Sequence, residues 1–236
     1  MKMMIRNNVA ILLGGAILAS SCATPTPEVD KSAAGDQISF DGLYPVTGTY
    51  VDKAWAHPDL DLTGYKKILI VGAGIHYRPV KGSAGNRTGS QSSREFPISE
   101  KNRVKMAEEV GKAFREELAK VESLELATAP GPDVLIVRGA LLDVVSRIPP
   151  ERIGRSDVYL SSIGEATLVL ELIDSESNTV LVRALDRRAA EQLGMVMKSS
   201  SVTNWSEVRR LAKRWATLLR TRLEAISTNM DLGSAA

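Results

Sequence analysis

The 236-residue chain carries 30 basic and 28 acidic side chains, two histidines and a single cysteine. Lys2 and Arg6 account for the basic excess, so from Cys22 onward 28 bases stand against 28 acids. This balance argues against a polycation for nucleic acid, the lone cysteine excludes an internal disulfide, and His57 and His76 lie too far apart for a zinc pattern.

MKMMIRNN is basic and is followed by the apolar run Val9 to Leu18 and then by small residues. That order is a secretory signal, and the run is about half the ~20 residues a spanning helix needs. Ala19-Ser20-Ser21 before Cys22 resembles the lipobox of bacterial lipoproteins, in which the cysteine thiol receives a diacylglyceryl group and cleavage falls just before it. The chain departs from that pattern in having Ala19 where leucine is usual. Ala19 and Ser21 also suit ordinary signal peptidase, which would leave a soluble secreted or periplasmic protein. The placement of the only thiol favours lipidation, since a free exposed thiol is a liability in an oxidising compartment.

The expected organisation is a signal peptide over 1–21, a flexible tether over 22–39 and an extended arm packed on the domain over 40–65. An α/β domain follows over 66–228, with a tail over 229–236. Residues 23–37 hold hardly any large apolar side chain to repay ordering. ILIVGAGIHY, from Ile68, is a β-branched run typical of a buried strand. A Gly/Ser-rich loop, Lys81 to Ile98, comes next, and loops of that length are functional or mobile. Ser99 caps a helix over Glu100–Val121 whose stripe holds Val104, Ala107, Val110, Gly111, Phe114, Leu118 and Val121.

Strands are expected at Leu124–Thr128, Val134–Ser146, Glu165–Asp174 and Thr179–Ala189, the last two joined by the turn Asp174 to Asn178. Asn204 is the expected cap of a final helix over Trp205–Ile226. The order β-α-β-β-β-β-α predicts an α/β (α+β) two-layer sandwich: a mixed, largely antiparallel sheet of about five strands with two helices on one face.

FDGLYPVTGTYVDKAWAHPDLDLTGYKKILI, PGPDVLIVRGALLDVV, GEATLVLELIDSESNTVLVRALDRRAAE and WSEVRRLAKRWATLLRTRLE together resemble a family of bacterial lipoproteins of unknown function, DUF3313. The resemblance spans most of the chain after the signal and implies an anchored envelope protein with one α/β domain. It brings no reaction and no catalytic residues. In the lipoprotein pattern, Ala23 after the cysteine, in place of Asp, implies the outer membrane.

The chemistry-bearing candidates are few. Gly72-Ala73-Gly74 follows a strand, but the dinucleotide fingerprint would need a third glycine at Tyr77 and a helix where Pro79 stands. Ser83 lacks the spacing of a nucleophile elbow. Arg209, Arg210, Lys213, Arg214 and Arg220 spread opposite the apolar stripe of the last helix, forming either an ordinary solvated face or a surface for anionic headgroups. Arg222 falls inside the apolar arc, which calls for snorkelling or for a buried carboxylate, Asp186 or Glu171.

The expectation is therefore an outer-membrane lipoprotein held by acyl chains at Cys22. Its non-catalytic periplasmic domain binds an unidentified envelope protein or lipid, with no cofactor, no metal and no nucleic acid. A lipid or small-molecule carrier with a pocket between sheet and helices is the alternative, and a cryptic hydrolase is third.

Overall fold

The computed structural model describes residues 27–80, 94–149, 158–191 and 196–233. The strands are β1 Glu28–Val29, β2 Tyr44–Thr47, β3 Lys53–Ala56, β4 Lys67–Tyr77, β5 Glu125–Leu126, β6 Val134–Ser146, β7 Tyr159–Leu160, β8 Gly164–Asp174, β9 Val180–Ala190 and β10 Met197–Lys198. The helices are α1 Glu100–Leu118 and α2 Ser201–Gly233. Eight strands form one sheet in the order β1-β2-β3-β9-β8-β6-β4-β5, and β7 and β10 make a separate pair. Only β4 pairs in parallel, with β6 and with β5; every other pairing in the sheet is antiparallel.

The class is as expected, but five strands is an undercount. The arm over 40–65 does more than pack on the domain: it supplies β2 and β3, which extend the sheet through the pairing of Ala54 with Ala184 and Trp55 with Arg183. Without sustained alternation these four-residue strands show no period of two, and only tertiary pairing makes them strands.

The described part of the expected tether, from residue 27, is ordered into the fold. Glu28 pairs with Thr47, Asp30 N–H donates to Pro45 at 2.9 Å, and Ala33 is buried. At the other end, α2 runs on through residues 229–233.

One face of the long strands builds the core. Leu135, Val137 and Leu141 of β6 and Ala166, Leu168 and Leu172 of β8 pack with Phe114 and Leu118 of α1. Trp215, Ala216, Leu219 and Leu223 of α2 complete that cluster. Each fully buried leucine contributes about 1.5–3 kcal/mol.

Ser99 caps α1 by accepting a bond from Asn102 N–H at 3.4 Å. The expected α1 stripe is buried only in its later half, since Val104 is 52% exposed while Phe114, Leu118 and Val121 are buried. Helix α2 begins earlier than expected, and Ser200 Oγ accepts from Thr203 N–H at 3.1 Å. Asn204 is therefore not the cap; it is buried and donates through its amide to Ser199 Oγ at 3.0 Å.

Two glycines have a structural cause. Gly164 lies so near β6 that a Cβ there would sit 2.1 Å from the Val145 carbonyl oxygen. Gly74, at φ +97°, takes up the irregularity between Gly72 and Ile75 that offsets the β4–β6 register. Among the described residues no helix begins directly after β4 at Tyr77, and the glycine pair lies within the strand itself.

Candidate functional site: the open face of the sheet

Both helices cover one face of the sheet, so odd-numbered side chains of β8 and β9 and even-numbered ones of β6 up to Leu142 turn to the other. Cross-strand register sets Trp55, Arg183, Glu171, Arg138 and Val71 in one row there. Glu171 is the hinge of this row: Arg183 Nε donates to its Oε1 at 2.8 Å and Arg138 Nε to its Oε2 at 2.8 Å. The other fork of Arg183 donates to both oxygens of Asp41, at 2.9 and 2.6 Å, tying the segment before β2 to β9. Burial pushes the Glu171 carboxyl up, yet its two arginine hydrogen bonds hold it below the usual carboxylate range.

A second ionic cluster gathers at the far end of the same face. Arg78 Nε donates to Asp143 at 2.7 Å, its Nη2 forms a further short bond to the same carboxylate, and Nη1 meets Glu95 at 2.5 Å. Asp143 adopts φ +54°, at an irregularity in β6, which places its carboxylate under that arginine. Glu165 takes Arg187 at 2.6 Å and Arg147 at 3.4 Å. Between the clusters runs an apolar lane in register, Leu185, Val169 and Ala140. Val71 and Leu142, each 37% exposed, flank it.

Phe40 stands over the β9 side of this face. It is 94% exposed, and the Arg183 guanidinium lies 5.1 Å from its ring centre. Trp55, the cross-strand neighbour of Arg183, is half-buried and donates from its indole to the Gln37 carbonyl at 3.3 Å. Tyr65, also half-buried, donates its hydroxyl to Asp174 at 2.7 Å. Phe40 is thus far more exposed than Trp55 or Tyr65.

The basic positions of α2 are tied mostly to acids of the protein itself. Arg209 pairs with Glu109 at 3.1 Å, Arg210 with Glu207, Lys213 with Glu117 at 3.7 Å, and Arg220 with Glu224 at 2.8 Å and Glu117 at 3.5 Å. Arg214 is exposed and makes no ion pair among the described residues. The α1–α2 seam thus engages three of the five bases, Arg209, Lys213 and Arg220, and Arg210 pairs within α2. Sequence reasoning placed them on the outer face but could not see α1 acids beside them.

Arg222 corrects a sequence expectation. Neither Asp186 nor Glu171 receives it: Arg188 and Trp215 occupy Asp186, and Arg138 and Arg183 occupy Glu171. Arg222 instead lies over the Tyr50 ring at 4.9 Å, with its Nη2 buried and lacking a hydrogen-bond partner. Tyr50 comes from the arm, whose position the sequence did not disclose.

Among the described residues no group of three or more His, Cys, Asp or Glu is placed to hold a metal. His57 Nδ1 accepts a turn bond from Asp59 N–H at 3.2 Å. No described helix is long and apolar enough to cross a membrane. Cys22, Ser83 and loop residues 81–93 lie outside the described residues. One hollow borders β1 with Pro58 and Leu60, and another the end of β4 and β6 with Phe96 and with Arg103 of α1.

Fold and face together define a two-layer α/β domain with one uncovered, ion-paired sheet face. The chain belongs to the DUF3313 family, described as a protein of unknown function, whose family model matches residues 34–219. No curated protein matches it in sequence.

Similar solved structures include a DUF330 protein from Xanthomonas campestris, at 12% identity and TM-score 0.39 over 75% of this chain and 93% of that one. A minor lipoprotein from Acinetobacter baumannii shows 13% identity and TM-score 0.36 over 68% and 94%. The PelC dodecamer from Paraburkholderia phytofirmans shows 11% identity and TM-score 0.33 over 70% and 95%. Likenesses of this degree assign no function to this chain.

Proposed function

We propose that the chain is a lipid-anchored outer-membrane protein whose periplasmic domain is non-catalytic and binds another envelope component through its open sheet face. The observation that carries the binding surface is the row Trp55, Arg183, Glu171 and Arg138 beside the lane of Leu185, Val169 and Ala140. Partly buried arginines, an aromatic ring and a strip of apolar side chains are the composition of interface anchors. The ion pairs are satisfied internally, so a partner meets a rigid surface whose charges need no rearrangement.

The anchor rests on Cys22 behind its apolar signal run. One acyl chain holds a protein only marginally, and the several chains of a mature lipoprotein supply stable anchoring. Two experiments test the reading. Cys22→Ser is expected to move the protein from the membrane to the soluble fraction, and a variant as membrane-bound as wild type refutes the anchor. Pull-down of the intact lipoprotein is expected to recover one stoichiometric envelope component that Leu142→Arg and Val71→Arg release. Recovery unchanged by both substitutions refutes the open face.

A further inference from the structure

The Phe40 side chain is 94% exposed although its backbone is held firmly. Ser39 N–H donates to the Leu43 carbonyl and Leu43 N–H to Ser39 Oγ, both at 2.9 Å. Gly42 closes the turn at φ +81°, a conformation that favours glycine. Asp41 is clamped by Ser39 at 2.6 Å and by the fork of Arg183, and Leu43 is fully buried beneath. A turn built this tightly presents a phenyl ring to solvent at no further ordering cost, which is the condition for an insertion or contact residue.

The length of chain before β1 decides what that ring meets. From Cys22 to Glu28 there are six Cα steps, a span of at most about 20 Å. Three strand spacings, about 14 Å, separate β1 from β9, over which Phe40 sits, whereas the β5 edge is seven spacings, about 34 Å, away. An acyl group on Cys22 therefore allows the β1–β9 half of the sheet to lie beside the bilayer, closer to the anchor than the β5 edge is.

We propose that the Phe40 turn is the part of the domain that meets the bilayer, with the ring seated in the lipid headgroup interface. The proposal rests on the acyl-anchor reading above. Charge does not oppose it, because Asp41 of the turn is matched by Arg183 of β9. Insertion of an apolar ring depends on buried area, so it is insensitive to salt, unlike approach through the basic side of α2. The partner of the open face is then one that reaches the membrane surface, leaving Val71 and Leu142 for that contact.

The test uses the acylated wild-type lipoprotein, its acyl mass verified, in vesicles of phosphatidylethanolamine and phosphatidylcholine that contain a photoactivatable phosphatidylethanolamine. After irradiation and digestion, lipid adducts are expected on the peptide carrying Phe40 roughly fivefold above the peptide carrying the Asp174–Asn178 turn. High salt should leave that ratio unchanged, and Phe40→Asp, a substitution at an exposed position, should abolish the excess. Equal labelling of the two peptides overturns the proposal, as does labelling that shifts to α2 or falls with salt. Adducts on the Phe40 peptide from neighbouring proteins in native membranes, without adducts in pure vesicles, mean that a protein covers the turn and also overturn it. A missing acyl mass overturns the anchoring reading, and this proposal with it.

Discussion

Removing the Asp186 carboxylate should be among the costliest single changes in the domain. Asp186 is 1% exposed, on the helix-facing side of β9. It accepts the Trp215 indole N–H at 2.7 Å and the Arg188 Nε–H at 2.5 Å, so one carboxylate satisfies a core tryptophan and a partly buried cation. Asp186→Ala leaves both donors without it, and breaking a buried pair by removing one partner costs about 3–5 kcal/mol. For a domain of this size that is a fall in Tm of roughly 6–20 °C.

The controls separate the two donors. Asp186→Asn keeps an acceptor for Trp215 while losing the charge, and should fall between wild type and alanine. Trp215→Phe removes only the indole donor, at about 1 kcal/mol for the bond. The double variant Asp186→Ala with Trp215→Phe should cost less than the two single changes together. Urea unfolding followed by circular dichroism measures all four. A loss below about 1 kcal/mol for Asp186→Ala would show that the cluster is not buried as described.

Gly164→Ala should prevent folding or cost several kcal/mol, because its Cβ would meet the Val145 carbonyl at 2.1 Å; Gly72→Ala, which meets nothing within 4 Å, should leave the Tm unchanged or slightly raised. The Asp174 carboxyl is held down to about 2 by the hydroxyl and backbone N–H of Ser177 and by the Tyr65 hydroxyl. A lowered carboxyl stabilises the fold above its unfolded value and loses that contribution as pH falls from near 4 through 2. An acid titration of unfolding should accordingly be flatter in that window for Asp174→Asn. Arg209→Ala should cost no more than about 0.5 kcal/mol, as an exposed pair does. Arg222→Ala should cost more than Arg209→Ala, through lost packing on Tyr50, while Arg222→Met should recover most of the loss because it fills the space without a buried orphan donor. Equal melting temperatures for the Arg222→Ala and Arg209→Ala variants would sink that account.

Parts of the fold were legible because their signals are local. The alternation in Gly164–Asp174 and the turn chemistry of Asp174 to Asn178 specified the β8–β9 hairpin, with Asn178 at φ +55° in the turn. Ser99 announced α1, and the late half of its stripe, Phe114 and Leu118, reached the core. Val104 belongs to the same stripe but extends past the edge of that core, which periodicity cannot report. Asn204 looked like a cap from sequence, yet Ser200 with Thr203 satisfied the helix start and left Asn204 to a buried bond.

The candidate site was less visible, because its members come from separate segments. Asp41, Trp55, Arg138, Glu171 and Arg183 meet only when β3 joins β9 and β9 joins β8. No spacing along the chain encodes that row. Arg222 stood out as a cation on an apolar face, and its aromatic partner Tyr50 became identifiable only when the arm was placed.

By itself the sequence determined the lone thiol at Cys22, the two amphipathic helices and the α/β class, since each depends on composition or on a short repeat. Tertiary structure alone decided that the arm becomes two further strands, that Glu28–Val29 pairs with the first of them, and that bases of α2 face acids of α1. The reason is physical. Strands of two to four residues have no stable pairing of their own, so they exist only where β9 offers an edge to complete.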